Sequence, residues 1–219
     1  MKALFLRLAL AALPALGEHQ ETLAPIALYT EFQQPPPLAV VDALQDEVSS
    51  IMAPTGLRFT WRDQSVAKDV EQWVKIATIT FKGRCDAVGL SPHRSTPVPL
   101  GWTYISNGVI LPFAEVDCQA ISGFIQKELL AMPSEERRAT YGRALGRVVA
   151  HELYHIFANT PRHSFRGAGK SAFTVRDLLS PKFQFKAHES LALRAIKEAL
   201  EFDSFGRKVA SATAQEKAR

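Results

Sequence analysis

Charge of one sign is scarce in this 219-residue chain: 26 Lys and Arg stand against 22 Asp and Glu, a scattered formal excess of +4. So mild a surplus argues against nucleic acid as the main partner. No internal repeat or biased linker occurs, which excludes solenoids, collagen, coiled coils and extended disorder as the main description. No apolar run approaches the roughly 20 residues that a helix needs to cross a bilayer. Cysteine occurs only twice, at Cys85 and Cys118. What remains is an ordinary globular composition, at a length that suits one domain with a real core.

The first residues read as an address rather than as part of that core. Met1-Lys2 and Arg7 precede a short apolar stretch, Leu8 to Leu13, and Ala15-Leu16-Gly17 offers small residues at both positions a signal peptidase reads. Residues 1–17 are therefore expected to be a cleaved secretory signal, with an N-terminal helix or membrane anchor as the alternative, and the protein to be secreted or periplasmic, without a membrane span after cleavage. Export in turn favours a Cys85–Cys118 disulfide, since an oxidising compartment joins the one available pair. It would close a loop of about 33 residues, worth roughly 3 kcal/mol in the chain-entropy model. Two separate buried thiols are the alternative. Residues 18–24 are too short for a clear pro-segment, and no unpaired Cys lies near them.

Patterning along the rest predicts a mixed architecture. Pro25 to Tyr29 reads as a short strand. Leu38, Val41, Leu44, Val48 and Ile51 recur at helical spacing over 38–52, ended by Pro54-Thr55-Gly56. Leu57–Arg62 alternates as a half-buried strand, and a second strand runs from Val74 to Phe81. Residues 86–101 form a Pro-, Gly- and Ser-rich loop. Asn107-Gly108 between Trp102–Ile105 and Val109–Leu111 is a strong hairpin signal. Cys118 to Met132 reads as one helix. The next starts at Pro133-Ser134-Glu135-Glu136, with Ser134 as cap and the acidic pair at its positive end, and continues to about Ala158. Pro161–Lys170 is loop, a last helix covers about Lys186 to Phe202, and residues 207–219 are a frayed tail.

The long helix carries His151-Glu152-Leu153-Tyr154-His155, an H-E-x-x-H pattern. Residues four apart lie one turn apart on one face, so both imidazoles can reach a single ion, with Glu152 beside them as a general base. Two nitrogen ligands, an open position and a base are what a hydrolytic zinc site needs. With six His and 14 Glu in the chain, composition alone yields the pattern with a probability of roughly 0.01. A third protein ligand is required, and two residues offer themselves. His163 lies eight residues past His155, beyond the helix-stopping Asn159-Thr160-Pro161. Glu189 lies on the last helix, where the plain alternative is a solvated charge.

These residues make the chain resemble the zincins, the H-E-x-x-H metallopeptidases. In element order it is similar to the metzincin-like catalytic domain over most of residues 18–206, although the specific motif covers only 151–163. It also resembles uncharacterised secreted bacterial proteins with H-E-L-Y-H and a later His. The resemblance implies an α+β single domain with a small twisted mixed sheet, an edge hairpin, the motif helix and a C-terminal helix. It implies Zn2+ held by His151, His155 and His163, with Glu189 in the gluzincin layout as the alternative third ligand. Glu152 would activate water for peptide-bond hydrolysis, and an extended peptide would pair with the Trp102–Leu111 hairpin.

The chain departs from the metzincin pattern in three ways. Ala158 and Pro161 stand where Gly and the third His belong, so His163 would come from a longer loop bent at Gly167 or Gly169. All three Met (Met1, Met52, Met132) precede the motif, so no Met turn can follow it. No Tyr follows His155, which leaves His188 as a candidate oxyanion donor or an ordinary polar residue. Tyr154 points away from His151 and His155 by helical phase and is expected to pack or to support the ligands from behind. The expected function is thus a monomeric secreted zinc endopeptidase acting on peptide or protein substrates. The alternative is a non-catalytic secreted protein with a structural zinc site.

Overall fold

A computed structural model describes residues 26–66, 73–88, 98–200 and 202. The expected signal segment 1–17 and tail 207–219 lie outside the described residues, as does 89–97 of the expected loop.

Strand β1 (Ile26–Phe32) is an inner strand of a five-stranded mixed sheet. It pairs in parallel with β2 (Phe59–Asp63) on one side and β3 (Lys75–Lys82) on the other. Strand β5 (Val109–Asp117) continues the parallel order, and β4 (Gly101–Ser106) closes the edge antiparallel to it, giving β2-β1-β3-β5-β4. Asn107 and Gly108 both have positive φ, 50° and 78°, the backbone that a tight hairpin turn matching strand twist requires. The predicted hairpin therefore forms, with β5 running well beyond the expected Leu111.

Alternation along the strands puts Leu28, Ala77, Ile79, Phe81, Ala114 and Val116 on one face, all buried. Helices α1 (Leu38–Met52) and α4 (Ser134–Ala158) contribute Val40, Leu44, Val48, Leu145, Val148 and Val149 to the same core. The buried stripe of α1 runs through Val40, whereas the expected Leu38 is largely exposed. At Gly142 and Gly146 the two helices come close: a Cβ on Gly142 would lie 2.5 Å from the Val40 carbonyl oxygen, and one on Gly146 2.8 Å from that of Leu44. Helix α4 is consequently enclosed along its C-terminal half, every residue from Ala144 to Phe157 being buried.

Three local expectations need correction. The single helix expected over 118–132 is two, α2 (Cys118–Phe124) and α3 (Gln126–Leu130), parted at Ile125, whose φ/ψ of −105°/11° is not helical. Gly123 is a poor helix former, and the break leaves Ile121, Ile125 and Leu129 all buried. Ser134 does not cap α4; Pro133 occupies the flanking position without a side-chain cap, although Glu135 and Glu136 do sit in the first turn. A short helix α5 (Val175–Leu179), held by a Thr174/Asp177 capping box, had no counterpart in the sequence reading. A final helix, α6, spans 187–200.

Cys85 and Cys118 are disulfide-bonded, with their Cα atoms 5.0 Å apart. The bond ties the chain just after β3 to the first residue of α2.

Candidate metal centre

The motif lies in the last two turns of α4, and the way that helix ends shapes the site. Asn159 takes the left-handed conformation (φ 47°, ψ 49°) and returns its N–H to the His155 carbonyl, a conformation in which Asn is tolerated. The chain therefore doubles back, and the Thr160 carbonyl meets His155 Nδ1 at 2.7 Å. Beyond a loop bent at Gly167 (φ 84°), the Ala168 carbonyl meets His151 Nδ1 at 2.8 Å.

Those two contacts fix the protonation of both rings. A carbonyl oxygen can only accept, so each Nδ1 carries the hydrogen and each neutral Nε2 presents a lone pair. The two Nε2 atoms lie 3.0 Å apart. Burial, partly opposed by the Ala168 hydrogen bond, pulls the His151 pKa down to about 4, and burial lowers that of His155 as well. Both rings are thus neutral near pH 7, and two lone pairs facing each other at that distance repel unless a cation lies between them. Two nitrogens bound tetrahedrally to one zinc, each at about 2.05 Å, would be roughly 3.3 Å apart, close to the spacing found.

His163 completes the group. Its ring centroid is 5.3 Å from that of His151 and 4.7 Å from that of His155, and one ligand atom from each of the three lies within 4.8 Å of the others. His151 and His155 are buried while His163 is exposed, so the cluster opens to solvent on one side. Three convergent imidazoles, two of them oriented by backbone carbonyls, suit zinc in donor type and number.

Glu152 is buried beside the cluster, and burial pushes its pKa up to about 7 against a lowering hydrogen bond from Thr103. The Thr103 hydroxyl, on edge strand β4, donates to Glu152 Oε2 at 2.7 Å. Gly101 makes this approach feasible: a Cβ there would lie 2.9 Å from Val148 Cγ1 and 3.1 Å from Glu152 Oε1. A cavity of about 730 Å³ opens from His151, Glu152 and His163 toward Leu100, Ala120 and Phe124, with Trp102 and Thr103 of β4 along its side.

The remaining candidates fall elsewhere. Glu189 is not a solvated charge but fully buried, and it lies outside the histidine group; its oxygens accept from Ser164 Oγ (2.5 Å) and from the Lys186 N–H (2.7 Å). His188 is largely exposed, its Nε2 4.0 Å from Glu189 Oε1, and it does not line the cavity. Tyr154 packs against Phe185, as its helical phase suggests. Sequence reasoning missed Thr103, Gly101 and the carbonyls of Thr160 and Ala168. Only the alternation along β4 could have singled out Thr103 as facing the helix.

Neither a protein-family model nor a curated protein sequence matches this chain. Similar solved structures include a zinc-dependent peptidase from Methanocorpusculum labreanum, with TM-score 0.48 and 12% identity over 77% of this chain and 99% of that one. Archaemetzincin from Methanopyrus kandleri is similar at TM-score 0.46 and 12% identity, over 80% of this chain and 96% of that one.

Proposed function

We propose that this chain is an exported zinc-dependent endopeptidase, with zinc held by His151, His155 and His163 and with Glu152 as general base. The observation that carries the reading is the pair of carbonyl-locked imidazoles whose Nε2 lone pairs converge at 3.0 Å with a third histidine in reach. A buried carboxylate at the same point favours catalysis over a purely structural site, which needs no base.

Bound there, zinc would activate water and polarise a peptide carbonyl. The chain's own groups do the rest. Thr103 holds Glu152 Oε2, which orients the carboxylate and directs the incoming proton to Oε1 on the Gly101 side. As the water oxygen bonds to the carbonyl carbon, Glu152 takes its proton; as the C–N bond breaks, Glu152 returns that proton to the leaving amine. Among the described residues no strand pairs with the outer edge of β4, which would leave it for an extended peptide beside the apolar cavity.

The test is zinc content by elemental analysis together with cleavage of an unfolded protein substrate. One zinc per chain and cleavage are expected of the wild type. Glu152→Gln should keep the zinc and lose turnover by at least about 100-fold. Wild-type protein that holds zinc but cleaves nothing would leave the structural-zinc alternative, and a Glu152→Gln variant that still cleaves would remove Glu152 as the base.

A further inference from the structure

Glu189 is a fully buried ionisable group that the mechanism above does not use. Fully burying a carboxylate is costly unless its oxygens are satisfied. Here they are, and by a particular stretch of chain. Oε1 accepts from Ser164 Oγ, the residue next to His163, and Oε2 accepts from the Lys186 N–H at the start of α6. Gly169 lies directly on the carboxylate: a Cβ there would stand 2.1 Å from Oε1. The turn is closed on itself by the Ser164 N–H on the Gly169 carbonyl at 2.8 Å. Gly169 follows Ala168, whose carbonyl orients His151.

We propose that Glu189 is a positioning residue for the metal centre, clasping the 163–169 turn that both carries His163 and presents the Ala168 carbonyl to His151. One side chain thereby governs two of the three imidazoles without touching either. The inference rests on the zinc reading and adds to it a residue that acts from behind the ligands. The turn has a further anchor in the Ala168 N–H on the Gln184 carbonyl at 3.0 Å, so loss of the clasp should loosen the turn rather than unfold the protein.

The experiment measures zinc affinity of the full chain by competition with a chromogenic chelator. It compares wild type, Glu189→Ala, Glu189→Gln and Ser164→Ala, with far-UV circular dichroism and apo-protein melting alongside. Outer groups that orient ligands typically matter 10–100-fold in metal affinity. Glu189→Ala should therefore bind zinc at least about 10-fold more weakly at a temperature where it is folded. Ser164→Ala should weaken binding in the same direction. Glu189→Gln can still accept from Lys186 and donate to Ser164, so it should stay within about 3-fold of wild type. This separates positioning from direct ligation, because an amide is a poor replacement for a ligand carboxylate.

Equal zinc affinity in wild type and Ser164→Ala, or a Gln variant more than about 10-fold weaker than wild type, would overturn the role of Glu189 while leaving the zinc reading intact. A Glu189→Ala variant too unstable to assay leaves the decision to those other two. Wild type that binds no zinc at all would overturn both.

Discussion

A single hydroxyl, that of Thr103, joins the edge strand to the carboxylate of the motif helix. Hydrogen bonds to charged groups contribute roughly 1.5–3 kcal/mol, so Thr103→Val should lower kcat about 10-fold or more while zinc content is unchanged. Steady-state kinetics on a peptide substrate checks this; an undiminished kcat would mean that Glu152 needs no such support. At this scale the sequence was informative where chemistry is local. His151, Glu152 and His155 lie within one turn and a half of helix, so their mutual placement follows from helical spacing alone. Thr103 is 49 residues from its partner, and only the tertiary fold joins them. The Thr160 and Ala168 carbonyls are backbone groups that every residue possesses, so no residue type could announce them. Glu189 reads in sequence as an alternative third ligand or else a solvated charge, and its burial was not legible because it depends on Ser164 and Gly169 folding over it.

Among the elements, the contact between α1 and α4 decides where the motif helix sits. Gly142 meets backbone, not the pliant end of a side chain, so a methyl group there can be accommodated only by moving a helix. Overpacking of this kind costs about 1–3 kcal/mol, partly offset by the better helix propensity of alanine. Gly142→Ala should therefore lower the denaturant midpoint by an amount equivalent to about 1–2 kcal/mol, with the zinc affinity of the folded fraction unaltered. A variant as stable as wild type would show that the helices can separate without penalty. The elements that patterning identified well, α1, α4 and the β4–β5 hairpin, have strong periodicity or a turn that only certain residues can make. Those it misjudged are interrupted or short. The 118–132 segment keeps an apolar rhythm across a break that burial of Ile125 resolves, and α5 is too short to carry a period.

For the molecule as a whole, the Cys85–Cys118 disulfide is the long-range covalent tie. With its ends 33 positions apart, its removal should cost roughly 3–4 kcal/mol. The cleaner measurement is equilibrium denaturation of the paired Cys85→Ala, Cys118→Ala variant, since thiol reductants also bind zinc. A midpoint equal to wild type would mean that the tie constrains little in the unfolded chain. The α+β class and the parallel sheet with one antiparallel edge agree with the architecture expected from element order. No helix among the described residues is long and apolar enough to cross a membrane.

With both of its cysteine sulfurs committed to that bond, the chain offers no native thiol to a labelling reagent. Phe165 projects fully into solvent two positions beyond His163. A cysteine introduced there would be the sole target for a maleimide dye, and its emission could report occupation of the neighbouring centre directly, without any substrate.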